Sequence, residues 1–278
     1  PARKTVIIFL DTDRHASPFD ILTAVDLFPD AQILTYSGVE PQESKRIIQD
    51  AMFPRGPDGA KQTKLFIGGY DVEKAMEILE IAKKSMFPPF EFAVIVDPRG
   101  AYTTASAAVA KTLSALLEKG YGDLKDKTAT VLAGTGPVGQ IASRLYATEG
   151  ANVVVTSRDL ARSTAVANKI NKEIGAERAC GVQAGSPHEV GQAIKDSQVV
   201  LSAGAAGVAL LHSIALQEFG KQCKVVADIN AIPPLGVEGL KPTDENVEML
   251  PGIWGIGALS IGTFKNKIEA QLLRTAVE

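Results

Sequence analysis

The sequence predicts an α/β protein of two lobes, each built on a parallel sheet. Three observations predict it. Short β-branched runs alternate with helix-period segments along all 278 residues, and strands alternating with helices imply parallel sheets. That length is generous for one domain and ordinary for two. A long Ala/Leu-rich segment, residues 103–119, separates a first β/α series from a second one.

In the first series, Lys4–Asp11, Ala31–Tyr36, Lys64–Gly68 and Glu91–Asp97 read as strands. Phe19–Phe28, Glu43–Met52 and Val72–Lys84 carry the helical period between them. The separating helix, Thr103–Lys119, starts at a Thr-Thr pair suited to an N-cap and stops at Gly120. The second series has strands at Thr128–Ala133, Asn152–Thr156, Val199–Ser202 and Lys224–Ile229, closed by glycine-rich loops. A last helical segment, Lys265–Ala276, follows.

Composition bounds the partners. Hydrophobic residues make up 45% and charged residues 22%, enough for real cores, and the net charge is −3. With no basic block and no basic–aromatic stripe, nucleic acid is not an expected partner. The longest uncharged stretches, such as Val199–Leu211, are too short and glycine-rich to span a bilayer. Residues 1–4 do not open a signal peptide. Cys180 and Cys223 read as two small buried hydrophobes in a reducing compartment, so the expected location is cytoplasmic. His15, His188 and His212 form no metal or triad pattern, and no metal ligand set is expected.

The most informative segment is Val131–Gly139, VLAGTGPVG. A strand runs into Gly134-Thr135-Gly136-Pro137-Val138-Gly139 and then into a helix, which is the context a Gly-x-Gly-x-x-Gly turn needs to bind a dinucleotide. Gly134 is expected to permit the tight turn, Gly136 to leave room for pyrophosphate, and Gly139 to let helix and strand approach. Pro137 fits the first helical turn, where its missing N–H costs nothing. The free N–H groups of the helix start attract phosphate. Val138, Ile141, Ala142 and Leu145 fall on its core-facing side.

The end of the next strand selects the nucleotide. Sites for NAD place an acidic residue there to hold the ribose 2′-hydroxyl. Here the chain reads Thr156-Ser157-Arg158. A carboxylate would repel a 2′-phosphate, whereas the Arg158 fork pairs with one and Ser157 adds a hydroxyl. NADP is therefore expected, with NAD weaker. Asp159 is expected to cap the following helix. Two more strand-end loops should flank the cofactor, one at Ser202, Ala203 and Gly204, the other at Asp228 and Asn230.

The first lobe offers three loops at strand carboxyl ends. They are Asp11-Thr12-Asp13 with Pro18, Phe19 and Asp20; Gly69 and Tyr70; and Asp97-Pro98-Arg99-Gly100 with Thr103. Asp11 and Asp97 read equally well as stabilisers of a developing cation and as turn formers, and Asp20 reads as a helix cap. Tyr70 and Lys74 have Tyr-x-x-x-Lys spacing but precede the glycine turn, the reverse of the order in short-chain dehydrogenases.

Taken together, these segments resemble the bacterial NADP-dependent methylenetetrahydromethanopterin dehydrogenases of one-carbon metabolism. The likeness lies in Phe9–Asp13 with Pro18–Asp20, Phe66–Gly69, Val131–Gly139, Val226–Gly236 and Gly257–Lys267, in the same order along nearly the whole chain. The resemblance implies a discontinuous pterin-binding lobe, residues 1–102 and 258–278, around a Rossmann-type NADP-binding lobe, residues 103–257. It implies a homo-oligomer, a tetrahydromethanopterin-type substrate, and a pterin cleft lined by a lysine that falls on Lys265. The sequence departs from the pattern at Tyr70, where members carry small residues, and at Arg99. Hydride leaves such a methylene carbon with the help of the two flanking nitrogens, so the absence of an obvious base agrees with that chemistry. Related folate dehydrogenases with cyclohydrolase activity, and a non-catalytic NADPH-binding protein, are the alternatives.

Overall fold

The computed structural model describes residues 3–278, and the chain divides into two units. Unit 1 comprises residues 1–102 and 266–278, and unit 2 residues 103–265.

In unit 1 the elements run β1 (Val6–Asp11), α1 (Pro18–Leu27), β2 (Gln32–Ser37), α2 (Pro41–Met52), α3 (Gly56–Lys61), β3 (Thr63–Gly68), α4 (Val72–Ser85) and β4 (Ala93–Val96). The four strands form one parallel sheet in the order β2-β1-β3-β4. Alternation along β1 sends Ile8 and Leu10 to one face and Ile7 and Phe9 to the other. On the first face they meet Ile48, Met52, Ile78 and Leu65. On the second they meet Ala24, Phe66, Ile95 and Leu273, the last from the C-terminal helix. The two central strands, β1 and β3, are buried along almost their whole length because both faces are covered.

The chain continues with α5 (Ala101–Glu118) and, in unit 2, β5 (Thr128–Leu132), α6 (Pro137–Thr148), β6 (Asn152–Ser157), α7 (Leu160–Ile174), β7 (Ala179–Gln183), α8 (Pro187–Ile194), β8 (Val199–Ser202), α9 (Ser213–Phe219), β9 (Val225–Asp228), β10 (Glu245–Leu250) and β11 (Ile253–Ile256); α10 (Ala258–Val277) starts in unit 2 and ends in unit 1. The sheet of unit 2 has the order β10-β11-β9-β8-β5-β6-β7, parallel except for β10. This is a Rossmann-type sheet with an added edge hairpin.

Local signals act where expected at several ends. Gly120, at φ 75°, stops α5, and the next amide, Tyr121, donates back to Leu116. Asp159 caps α7 by accepting from Ala161 and Arg162.

Four expectations are corrected. First, α5 starts at Ala101, so Thr103 is not a cap but a buried first-turn residue. The turn Pro98–Gly100, with Arg99 and Gly100 both at positive φ, already feeds the chain into helix, and Asp97 Oδ1 accepts the Tyr102 amide. Second, α10 starts at Ala258, seven residues before Lys265. The Gly257 and Leu259 amides are taken by the Asp244 and Pro242 carbonyls, which satisfies that helix start without a capping side chain. Third, the residue at the N-cap position of α1 is Ser17, and Asp20 sits two residues inside the helix. Fourth, Cys180 is exposed because β7 is an edge strand, while Cys223 is buried and its thiol pushed up to about 12 by burial.

Candidate functional site

In unit 2 the glycine turn follows from its packing. Ala133 itself takes the left-handed conformation, at φ 53°. Gly134 therefore supplies closeness rather than the turn's conformation: a Cβ there would lie 2.8 Å from Val155 Cγ1 and 3.0 Å from the Val131 carbonyl. At Gly139 a Cβ would lie 2.7 Å from Gly134 Cα and 2.8 Å from the Ala133 carbonyl, so helix and strand touch only through glycine. Gly136 differs, since a Cβ there would meet nothing nearer than the Ala133 carbonyl at 3.6 Å and the Ala203 carbonyl at 4.0 Å. The space in front of it is open, as a phosphate cradle requires. Pro137 opens α6, whose first amides, including Val138 and Gly139, have no acceptor within the helix. Thr135 is steadied by its carbonyl, which accepts from Gln140 Nε2 at 2.8 Å. Ile141 and Ala142 are buried, and Val138 and Leu145 are half-buried.

Beside this turn, Ser157 is buried at the end of β6 and its Oγ accepts the Asp159 amide at 3.2 Å. Arg158 is exposed, with its stem against Gly185 and its guanidinium unpaired among the described residues. Leu132, Ser202 and Asp228 align across β5, β8 and β9, so the three strand-end loops lie side by side. Ser202 and Ala203 are buried, and a Cβ on Gly204 would strike Leu210 at 2.6 Å.

Asp228 and Asn230 staple their loop. Asp228 accepts from the Asn230 and Val237 amides, both at 3.1 Å. Asn230 accepts from Ile232 and Gly207 and donates to the Pro234 carbonyl. Burial raises the Asp228 pKa against the opposing pull of the Asn230 and Val237 amides.

In unit 1, Asp11 and Gly68 are aligned in register, and the Asp97 amide donates to Ile67. Asp11 is buried and accepts from the Asp13 and Ser17 amides at 2.8 and 3.0 Å. Asp97 is fully buried and accepts from Tyr102. Both carboxylates therefore form turns. Asp13 ties the loops together, because Oδ1 accepts the Tyr70 amide at 3.0 Å and Oδ2 accepts from Arg99. Gly69, at φ 108°, admits Thr12 to a spot where a Cβ would lie 1.9 Å from its Oγ1. Tyr70 and Phe19 project into solvent, 63% and 51% exposed, with Pro18 exposed next to Phe19 and Asp20 buried behind it. Lys265 is buried in α10, one turn from the buried Glu269, a residue that no sequence motif singled out.

Parallel β/α units, a glycine turn open at Gly136 and an exposed arginine at the end of the next strand define a Rossmann-type α/β protein of the dehydrogenase class. Comparison with known proteins refines this. The family model for the N-terminal region of methylene-tetrahydromethanopterin dehydrogenase matches residues 18–99. The chain is 33% identical over 277 residues to the NAD(P)-dependent methylenetetrahydromethanopterin dehydrogenase of Methylorubrum extorquens, covering 99% of this chain and 92% of that protein. It is 36% identical over 265 residues to the bifunctional protein MdtA of the same organism, covering 95% and 89%. Among solved structures, quinate dehydrogenase from Corynebacterium glutamicum in complex with NAD shares the fold, with a TM-score of 0.62, 14% identity and coverage of 98% and 94%. The chain belongs to the methylenetetrahydromethanopterin dehydrogenase family.

Proposed function

We propose that this protein oxidises the methylene group of methylene-tetrahydromethanopterin to the methenyl form with NADP, by direct hydride transfer. The observation that carries the reading is the relationship to the Methylorubrum enzyme across 99% of the chain. The residues fit the cofactor. The open space at Gly136 and the free amides of α6 suit a pyrophosphate, and the exposed fork of Arg158, with Ser157 beside it, suits a 2′-phosphate. NADP, when bound, supplies the hydride acceptor.

The chain's own residues bind and orient. Ser202, Ala203 and Gly204 form a wall of small residues beside the turn, and Asp228 and Asn230 hold the neighbouring loop rigid through the hydrogen bonds described above. In unit 1, Asp13 fixes Tyr70 and Arg99, and the exposed rings of Tyr70 and Phe19 offer flat apolar surface to a pterin. Pro18 and Gly69 shape these loops, and Thr103 lies buried in the first turn of α5. Asp11 and Asp97 are buried carboxylates that orient these loops and set the field around a developing cation, and the buried Lys265 of α10 is a further candidate for that field. No proton leaves the reacting carbon, so no residue needs to act as a base, and positioning at roughly 3–3.5 Å supplies the catalysis. The two free cysteines suit a reducing cytoplasm.

The test uses substrate deuterated at the methylene carbon in ordinary water. Label recovered in the reduced nucleotide supports the reading, and label lost to water overturns it. A second reading, a tetrahydrofolate substrate with added cyclohydrolase activity, gains support from the 36% identity to a protein named as bifunctional. Parallel assays with methylene-tetrahydrofolate, followed through hydrolysis of the methenyl product, separate the two.

A further inference from the structure

The strand order β2-β1-β3-β4 puts a switch point between β1 and β3 of unit 1, because the chain leaves β1 for β2 on one side and returns to β3 on the other. Parallel sheets bind ligands in the crevice outside the carboxyl ends of the strands at such a point. Two loops border it, residues 12–17 after β1 and Gly69–Tyr70 after β3. Arg14 and His15 stand at the apex of the first loop, and both are exposed.

The loop is tied down on both sides of this apex. Asp11 accepts the Asp13 amide at 2.8 Å and the Ser17 amide at 3.0 Å. The Gly38 amide donates to the Asp13 carbonyl at 2.6 Å, and the Ala16 amide to Ser37 Oγ at 3.1 Å. Asp13 also accepts the Tyr70 amide, which fixes the apex next to that residue. Arg14 and His15 are themselves left over: among the described residues, neither their amides nor their side chains have a hydrogen-bond or ion-pair partner. Neighbouring cations are committed, Arg99 to Asp13 and Lys74 to Glu40. The carboxylates of the loop are taken as well, Asp11 by two amides and Asp13 by Arg99.

The chemistry such an apex recognises follows from its donors. The arginine presents a planar fork of N–H groups, and the imidazole has an N–H in either protonation state. Two consecutive unpaired amides add backbone donors of the kind that cradle anions. Together they match a group with several negatively charged oxygens, a carboxylate or a phosphate. Because the loop is already fixed, little ordering of the backbone is lost when the anion arrives.

We propose that Arg14 and His15, with their backbone amides, form an anion subsite that holds the acidic tail of the pterin substrate, beside the rings of Tyr70 and Phe19. The subsite rests on the dehydrogenase reading given above and deepens it. It binds a part of the substrate that takes no part in hydride transfer, and it sets which tail is preferred.

Kinetics of the full chain with three substrates test it: methylene-tetrahydromethanopterin, methylene-tetrahydrofolate and a methylene-tetrahydropterin without the acidic tail. Arg14→Ala should lower the preference for a tailed substrate over the tail-free one roughly 10-fold, and His15→Ala about 3-fold, mainly through KM. Arg14→Lys, which keeps the charge but not the fork, should restore part of the preference. The tailed substrate that loses more tells a tail with phosphate from one with carboxylates alone. The wild-type KM for that substrate should rise with ionic strength, and Arg14→Ala should flatten the rise. An unchanged melting transition and an unchanged affinity for NADP show that the variants fold. Equal losses for tailed and tail-free substrates, no loss at all, or a KM indifferent to salt overturn the proposal and leave the dehydrogenase reading standing. No turnover of any methylene pterin overturns that reading and the proposal together.

Discussion

Arg99 donates through both Nε and Nη2 to a single oxygen of Asp13, Oδ2, at 2.9 and 2.6 Å, across 86 residues of chain. To reach it, Arg99 holds a left-handed backbone, φ 51°, a conformation uncommon for a side chain this long. The other Asp13 oxygen accepts the Tyr70 amide, so one carboxylate joins the loops after β1, β3 and β4.

This clasp predicts an order of effects. The ion pair is partly exposed, at 45% for Arg99 and 23% for Asp13, so Arg99→Ala should cost at most about 1 kcal/mol of stability. It should still raise the pterin KM roughly 3–10-fold by loosening the loop that carries Tyr70. Asp13→Ala removes both ties and should be the more damaging change. Steady-state kinetics of the two variants check this, and equal KM values for both would remove the clasp from substrate binding.

Nucleotide choice should rest on Arg158. Its guanidinium is exposed and unpaired among the described residues, so nothing in the fold depends on it. A charge-assisted contact of about 1.5–3 kcal/mol corresponds to roughly 10–100-fold. Arg158→Ala should weaken NADP by that factor, leave NAD nearly unchanged and not alter the melting temperature. Titration with both nucleotides decides, and equal losses would refute the assignment.

Gly139→Ala should act on both fold and binding. Its new methyl would meet backbone atoms of Ala133 and Gly134 at 2.7–2.9 Å, and backbone cannot swing aside as a side chain can. A loss of about 1–3 kcal/mol is expected from overpacking, together with weaker binding of both nucleotides as α6 moves away from the turn. At Gly136 the same substitution meets no atom closer than 3.6 Å and should spare stability while reducing binding. Thermal melts beside nucleotide titrations separate the two glycines.

Asp228 makes a prediction about pH. Burial, the dominant cause, raises its pKa above the ordinary 3.8 in the folded protein. The folded state then binds this proton more tightly than the unfolded chain does. The stabilisation it contributes is complete below the unfolded value and is lost as pH rises through the folded one. Asp228→Asn lacks this dependence. The stability of the wild type relative to the variant should therefore fall as pH rises above about 4, as urea unfolding across acidic pH would show. A difference that is flat or grows with pH contradicts the assignment.

Sequence by itself determined the parts of this protein that depend on near neighbours. The β/α alternation, the Gly120 stop, the Asp159 cap and the glycine turn with Arg158 beyond it are written in residues a few positions apart, whose propensities and sterics act locally. The tertiary structure decided the rest. The start of α10 depends on carbonyls of Pro242 and Asp244, and the start of α5 on Asp97 and the Pro98–Gly100 turn. Strand β7 (ACGVQ) has little strand pattern of its own, and its Gly181 is demanded by the backbone of α7, 2.3 Å from where a Cβ would stand. Asp11 and Asp97 read equally as stabilisers of a developing cation and as turn formers, and the amides they accept are brought to them by the folded loops. The Arg99–Asp13 clasp has no local signature, because the two residues meet only once β1 and β4 flank β3 in one sheet, a closure set by burial of apolar faces rather than by any feature of the segments that carry them.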